Sequence, residues 1–240
     1  MTTRIALVTG ANKGIGFEIA RQLAEKNILT LMGSRDPVRG EAAATQLADA
    51  GLQVRTLHLD VTDPATIAGV AAEIERTHGH LHILVNNAGI VDPADGPPSV
   101  ATATAIRRVF ETNFIGAVAV TQAMLPLLRR APVARIVNLA SSLGSLTING
   151  DPTSPYYAAR LLGYNASKAA LNMLTVQLAA ELRDTRIAVN SVSPGFVKTD
   201  LTGLGFMTPA EGARLPVEYA LLRDNPVSGR FVEPGAITPW

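Results

Sequence analysis

The stretch IALVTGANKGIG, residues 5–16, decides how the rest of the chain is read. Its first four residues form an apolar run without alternation, as in a strand covered on both faces. A glycine-rich turn follows at once, and IGFEIARQLAEKN continues in a helical pattern. A strand feeding such a turn at the start of a helix aims bare backbone N–H groups and the positive end of the helix dipole at a bound anion, usually a pyrophosphate. Gly10 permits the tight turn, Gly14 lets the backbone approach the ligand, and Gly16 lets the helix sit close on the strand. The spacing is G-x-x-x-G-x-G, not G-x-G-x-x-G, so a bare turn stays open as a reading of these glycines alone.

The same alternation of strand and helix recurs outward from this unit. LTLMG (29–33), VRTLHL (54–59), HILVN (82–86), RIVNLA (135–140), IAVNSV (187–192) and RFV (230–232) read as further strands. Helical patterns such as DPATIAGVAAEIERT and SKAALNMLTVQLAAELRDT lie between them. In the latter, Leu171, Leu174, Leu178 and Leu182 share one stripe, which predicts a buried helix face. Repeated βαβ units imply an α/β fold on a parallel sheet, and 240 residues with 47% hydrophobic content suit one domain, 1–240. The segment SPGFVKTDLTGLGFMTP (193–209) reads as a long connection of the kind that carries function.

Composition removes several functions. Twenty-one basic residues balance 20 acidic ones, and the basic clusters are no longer than the pairs Arg107–Arg108 and Arg129–Arg130, so no nucleic-acid or anionic-membrane partner is expected. Cysteine is absent, which excludes disulfides and thiolate chemistry. No apolar run is long enough to span a bilayer, the N-terminus has no secretory apolar region, and a cytoplasmic location follows by default. His78, His80 and His82 alternate, but with no cysteine or evident carboxylate partner nearby no metal site is expected; they read as solvated or helix-terminal. Ser141 lacks a G-x-S-x-G turn and all four histidines precede it, so a serine hydrolase is not supported.

The end of the third strand supplies Asp60 and Val61, and the end of the fourth supplies Asn87, Ala88 and Gly89, where an open parallel sheet binds ligands. In order, TGANKGIG (9–16), NNAG (86–89), TNFIG (112–116), IVNLASS (136–142), YNASK (164–168) and SPGFVKT (193–199) resemble the short-chain dehydrogenase/reductase family across essentially the whole chain. The ending, EYALL through GRFVEPGAITPW, is similar to its carbonyl reductase branch. The resemblance implies a doubly wound Rossmann fold, a three-layer sandwich around a mostly parallel sheet of seven strands. It also implies a nicotinamide dinucleotide cradled by Gly10, Asn12, Lys13, Gly14, Ile15 and Gly16, with Pro194, Gly195, Val197 and Thr199 from the later loop.

Cofactor choice should be set after the second strand. There the family's NAD enzymes carry an acid that bonds the ribose, and this chain has Ser34 followed by Arg35. With Lys13 as a second cation, Arg35 favours the 2′-phosphate of NADPH through charge-assisted bonds. The adjacent Asp36 also allows Arg35 and Asp36 to be a plain solvated pair.

Three of four tyrosines lie at 156, 157 and 164, and of the four only Tyr164 is followed four residues later by lysine, Lys168. On a helix that spacing puts phenol and ammonium on one face. Carbonyl reduction needs a hydride and a proton donor, and a phenol of ordinary pKa about 10 serves only with help from its surroundings. By resemblance, Tyr164 is the general acid, and Lys168 binds the nicotinamide ribose and lowers the phenol pKa. Ser141 holds the substrate carbonyl, with Ser142 the rival, and Asn113 orders a relay water. Ser141 and Tyr164 stand 23 positions apart, roughly ten more than in most members. Tyr156, Tyr157 and Leu161 in this insert are either substrate-facing or packing.

The expected activity is an NADPH-dependent reductase, similar to carbonyl reductases, of moderately apolar small-molecule ketones or aldehydes. Oxidation of an alcohol by the same residues and a non-catalytic dinucleotide-binding regulator are the competing readings. A homo-oligomer and a monomer are both left open.

Overall fold

Along the central strands, successive side chains enter two different hydrophobic layers. Ile5 and Leu7 join one cluster with Ile67, Ile74, Leu127 and Leu178, whereas Ala6 and Val8 join another with Ile19, Leu23, Leu47 and Val217. Both faces of the sheet are therefore covered, which is why its strands are apolar throughout.

The computed structural model describes residues 4–201, 203–223 and 226–240. The first half runs β1 (Ile5–Thr9), α1 (Gly14–Ala24), β2 (Leu29–Ser34), α2 (Pro37–Asp49), β3 (Val54–His58), α3 (Pro64–His78), β4 (Ile83–Asn86), α4 (Ala103–Phe110) and α5 (Gly116–Arg130). A π-helical turn, Glu111–Ile115, joins the last two. The second half runs β5 (Ala134–Leu139), a 3₁₀ turn (Ser142–Gly144), α6 (Leu146–Gly150), α7 (Leu162–Glu181), β6 (Ile187–Val192), α8 (Pro209–Leu221), β7 (Arg230–Glu233) and β8 (Ala236–Ile237).

Strand order is β3-β2-β1-β4-β5-β6-β7-β8, parallel except for the last pair. The chain reverses direction across the sheet between β1 and β4, so a crevice opens at their carboxyl ends. Among the described residues the sheet thus has eight strands where seven are expected. The extra one, β8, is two residues long and folds back on β7 through Gly235 at φ 84°, too short to leave an alternation pattern.

Leu171 and Leu178 of α7 and Leu182, its C-cap, are buried as the stripe predicts, but Leu174 is only half-buried. Asn172 and Thr175 complete the buried face, Thr175 because Asn138 and Ser191 hydrogen-bond its hydroxyl at 2.8 Å each. His82 corrects the reading of solvated or helix-terminal histidines: it is buried, and its Nδ1 accepts from Ile5 N at 3.1 Å. His78 does end α3. No helix among the described residues is long and apolar enough to cross a membrane.

Candidate active site

At the switch point the two glycine-bearing loops are stapled together. The Thr9 hydroxyl accepts from Asn87 N at 3.0 Å and Ala88 N at 2.9 Å, and the Asn87 amide donates to the carbonyls of Thr9 and Gly10 at 2.8 and 3.1 Å. Gly16 is required by this contact, since a Cβ there would lie 2.4 Å from Asn87 Nδ2. Its constraint is thus loop against loop, where the sequence suggests helix against strand. Gly14 stands at φ 58°, and Lys13, the N-cap of α1, makes no side-chain cap bond, which leaves the first turn of the helix open to an external acceptor. Asn12 is half-buried in the same turn.

Ser34, Arg35, Asp60 and Val61 come to the same edge from the ends of β2 and β3, as Leu59 N bonds to Ser34 O at 2.9 Å. Ser34 is buried, its hydroxyl donating to Asp36 O at 2.8 Å, and Arg35 is exposed. Asp36 does not pair with Arg35. It caps α2, accepting from Arg39 N at 3.1 Å, and meets the Arg39 guanidinium at 3.3 Å. Arg39, one helical turn beyond Arg35, is a third cation that sequence reasoning passed over.

From the far side, the loop after β6 reaches the glycine-rich turn. Thr199 Cγ2 lies 3.8 Å from where a Gly14 Cβ would stand, and Asp200, also not anticipated, pairs with Lys13 at 2.9 Å. Pro194 is buried and Gly195 adopts φ 85° against Met207. Val197 is buried, and its side chain packs on Gly212 of α8.

The expected catalytic residues converge on the first two turns of α7. The Ser141 side chain is near enough to the Tyr164 phenol to oppose the rise in its pKa, and its hydroxyl accepts from Leu143 N at 3.2 Å. Ser142 turns the other way, buried against Ser193 Oγ at 3.1 Å and Glu233 Oε2 at 2.5 Å. Between adjacent serines, then, only Ser141 faces the phenol. Gly144 allows this, because a Cβ there would sit 2.7 Å from the Lys168 backbone carbon.

Lys168 is buried, its ammonium 5.6 Å from the centroid of the Tyr164 ring and donating to Leu139 O at 2.7 Å. Burial pulls its pKa down to about 8. The half-buried Tyr164 phenol is pushed up to about 12 by desolvation, with Ser141 opposing the rise. Asn113, in the middle of the π-helical turn, spends its amide on Ile90 N at 2.8 Å, Ile90 O at 3.0 Å and Ser167 Oγ at 3.1 Å. π-helical turns recur at functional sites, and this one fixes the Gly89–Ile90 bend beside Lys168, whose Nζ lies 3.6 Å from a Cβ placed on Gly89. In the insert, Tyr156 donates to Glu233 Oε2 at 3.3 Å, Tyr157 lies under the Arg160 guanidinium at 4.1 Å, and Leu161 occupies the N-cap of α7.

The arrangement offers an anion cradle at one end and a phenol, a hydroxyl and a buried ammonium at the other. Over nearly its full length the chain is similar to known proteins of this kind. It is 35% identical to (−)-isopiperitenone reductase from Mentha piperita, with 95% of each chain covered. Among solved structures, NADPH-bound carbonyl reductase from chicken fatty liver superposes with a TM-score of 0.86 at 30% identity, all of both chains covered. Salutaridine reductase from Papaver somniferum gives 0.83 at 31% identity, covering 95% of this chain and 99% of its own. Residues 4–206, a span holding both the glycine turn and the YNASK helix, match the family model described as short chain dehydrogenase, and the chain belongs to that family.

Proposed function

We propose that this protein reduces a ketone or aldehyde with NADPH, with Tyr164 as the general acid. The chain is an NADP-dependent short-chain oxidoreductase, residues 1–240 forming one domain that carries both cofactor and catalytic groups. The observation that carries the reading is the buried Lys168 ammonium 5.6 Å from the centroid of the Tyr164 ring, one helical turn away, with the Ser141 side chain acting on the same phenol.

The residues present fit the dinucleotide. Glycines stand where a Cβ would collide, the first turn of α1 is open to a pyrophosphate, and Lys13, Arg35 and Arg39 answer a 2′-phosphate. When bound, the cofactor supplies hydride. Ser141 and Tyr164 hold the substrate carbonyl oxygen, Tyr164 delivers the proton to it, and the Lys168 cation stabilises the negative charge that develops nearby. With its pKa raised, the phenol keeps its proton at neutral pH, the form that reduction requires. Exposed Phe196 and Phe206, edge to face at 5.5 Å in the loop after β6, suit a moderately apolar substrate, in keeping with relatives named for isopiperitenone and salutaridine. A cytoplasmic location is part of the same proposal.

The test is NADPH oxidation against a panel of ketones, aldehydes and quinones. Tyr164→Phe is expected to lose about 10²–10⁴-fold in kcat, the usual worth of a positioned acid, with NADPH affinity retained. A variant as fast as wild type would remove the assignment.

A further inference from the structure

Helix α7 begins without a cap of its own. Leu161, at φ −112° and ψ 87°, fills the N-cap position, and its side chain cannot accept an N–H. The first-turn N–H groups, which have no partner inside a helix, are nonetheless satisfied. Leu162 N donates to Gly96 O at 2.9 Å. Gly163 N donates to Asp95 Oδ1 and Tyr164 N to Asp95 Oδ2, each at 2.8 Å, across 68 and 69 residues of sequence. Asn165 N bonds to Leu161 O at 2.8 Å.

The carboxylate that receives two of these donors is itself held. Asp95 N bonds to Asp92 O at 3.0 Å, while buried Asp92 accepts from Ala94 N at 2.9 Å and pairs with Arg108 of α4 at 2.9 Å. The fit is close, because a Cβ on Gly163 would stand 3.1 Å from Asp95 Oδ2 and 3.2 Å from Ile106 Cα. A carboxylate facing two helix N-terminal N–H groups forms charge-assisted bonds and meets the positive end of the dipole.

We propose that Asp95 is the positioning residue for the general acid: it grips the backbone N–H of Tyr164 and so fixes where the phenol sits relative to Ser141 and Lys168. The inference rests on the reductase reading. Its force comes from geometry, since a small displacement of a reacting group can cost a hundredfold in rate.

Asp95→Ala is expected to lower kcat at least tenfold, measured well below its Tm, with the Kd for NADPH from fluorescence titration within twofold of wild type. Asp95→Asn keeps one acceptor oxygen but sets an amide NH₂ against the other N–H, and should fall between. Ile74→Val, a core truncation in α3 remote from the site, supplies a comparable loss of thermal stability and should leave kcat unchanged. Wild-type kcat in both Asp95 variants would overturn the proposal, as would an equal loss of kcat in Ile74→Val. A wild-type enzyme that reduces no carbonyl in the panel removes the reductase reading first, and this inference with it, before any variant is compared.

Discussion

Lys168 Nζ lies 5.6 Å from the centroid of the Tyr164 ring, with its pKa pulled down to about 8 by burial while the phenol stands near 12. The first of the pair to titrate as pH rises is therefore the lysine. Carbonyl reduction should be level from pH 6 to 7.5 and fall above about 8, as the cation is lost while the phenol keeps its proton. Lys168→Arg, whose guanidinium stays charged, should move that fall upward by a unit or more at reduced kcat. A pH profile of kcat for both proteins checks this; identical alkaline breaks would contradict it.

Lys13 and Asp200 form an exposed pair that bridges the glycine-rich turn and the loop after β6. If Lys13 serves the 2′-phosphate, Asp200 competes for it. Asp200→Asn should lower the KM for NADPH about two- to fivefold, leave that for NADH unchanged, and lose its advantage at high salt, where exposed charges are screened. Steady-state kinetics at two ionic strengths measure the effect.

Arg35 and Arg39 both project from the end of β2 and the first turn of α2, and both are exposed. Each charge-assisted contact to a phosphate is worth about tenfold in affinity. Arg35→Ala should raise the KM for NADPH about tenfold, and the double variant with Arg39→Ala further, without change for NADH. An unaltered NADPH/NADH preference in the double variant would show that the phosphate sits elsewhere.

His82 gives stability a pH dependence unrelated to catalysis. Burial, with His80 and Arg4 nearby, lowers its pKa to about 4, and the neutral ring accepts from Ile5 N. The unfolded chain, with an ordinary histidine at 6.5, then binds more protons than the folded one between about 4 and 6.5. The contribution is complete above about 6.5 and is lost as pH falls toward 4, an effect of order 2 kcal/mol. Urea unfolding at pH 7, 5.5 and 4.5 should show that decline, and His82→Gln should flatten it.

What sequence could reveal divides by distance along the chain. The turn of residues 10–16, the strands and the Tyr164–Lys168 spacing are local patterns fixed by helix and strand periodicity, and the structure has them where the pattern put them. Choosing between Ser141 and Ser142 needed partners 51 and 91 residues away, Ser193 and Glu233, which draw Ser142 inward. Asp95 reaches α7 across 69 residues and Asp200 reaches Lys13 across 187, pairings that topology creates and no period records. The desolvation of half-buried Tyr164 and buried Lys168 likewise belongs to the packed state, so the direction of the phenol shift could not be taken from spacing alone.

Tyr156 of the insert and Ser142, the neighbour of Ser141, share a single carboxylate oxygen, Glu233 Oε2. That shared anchor makes the insert a poor candidate for cassette exchange. Grafting a longer or shorter segment to retune substrate scope would tug on the strand end that presents Ser141, so a redesign must keep Glu233 and a hydroxyl donor in register or accept a slower enzyme.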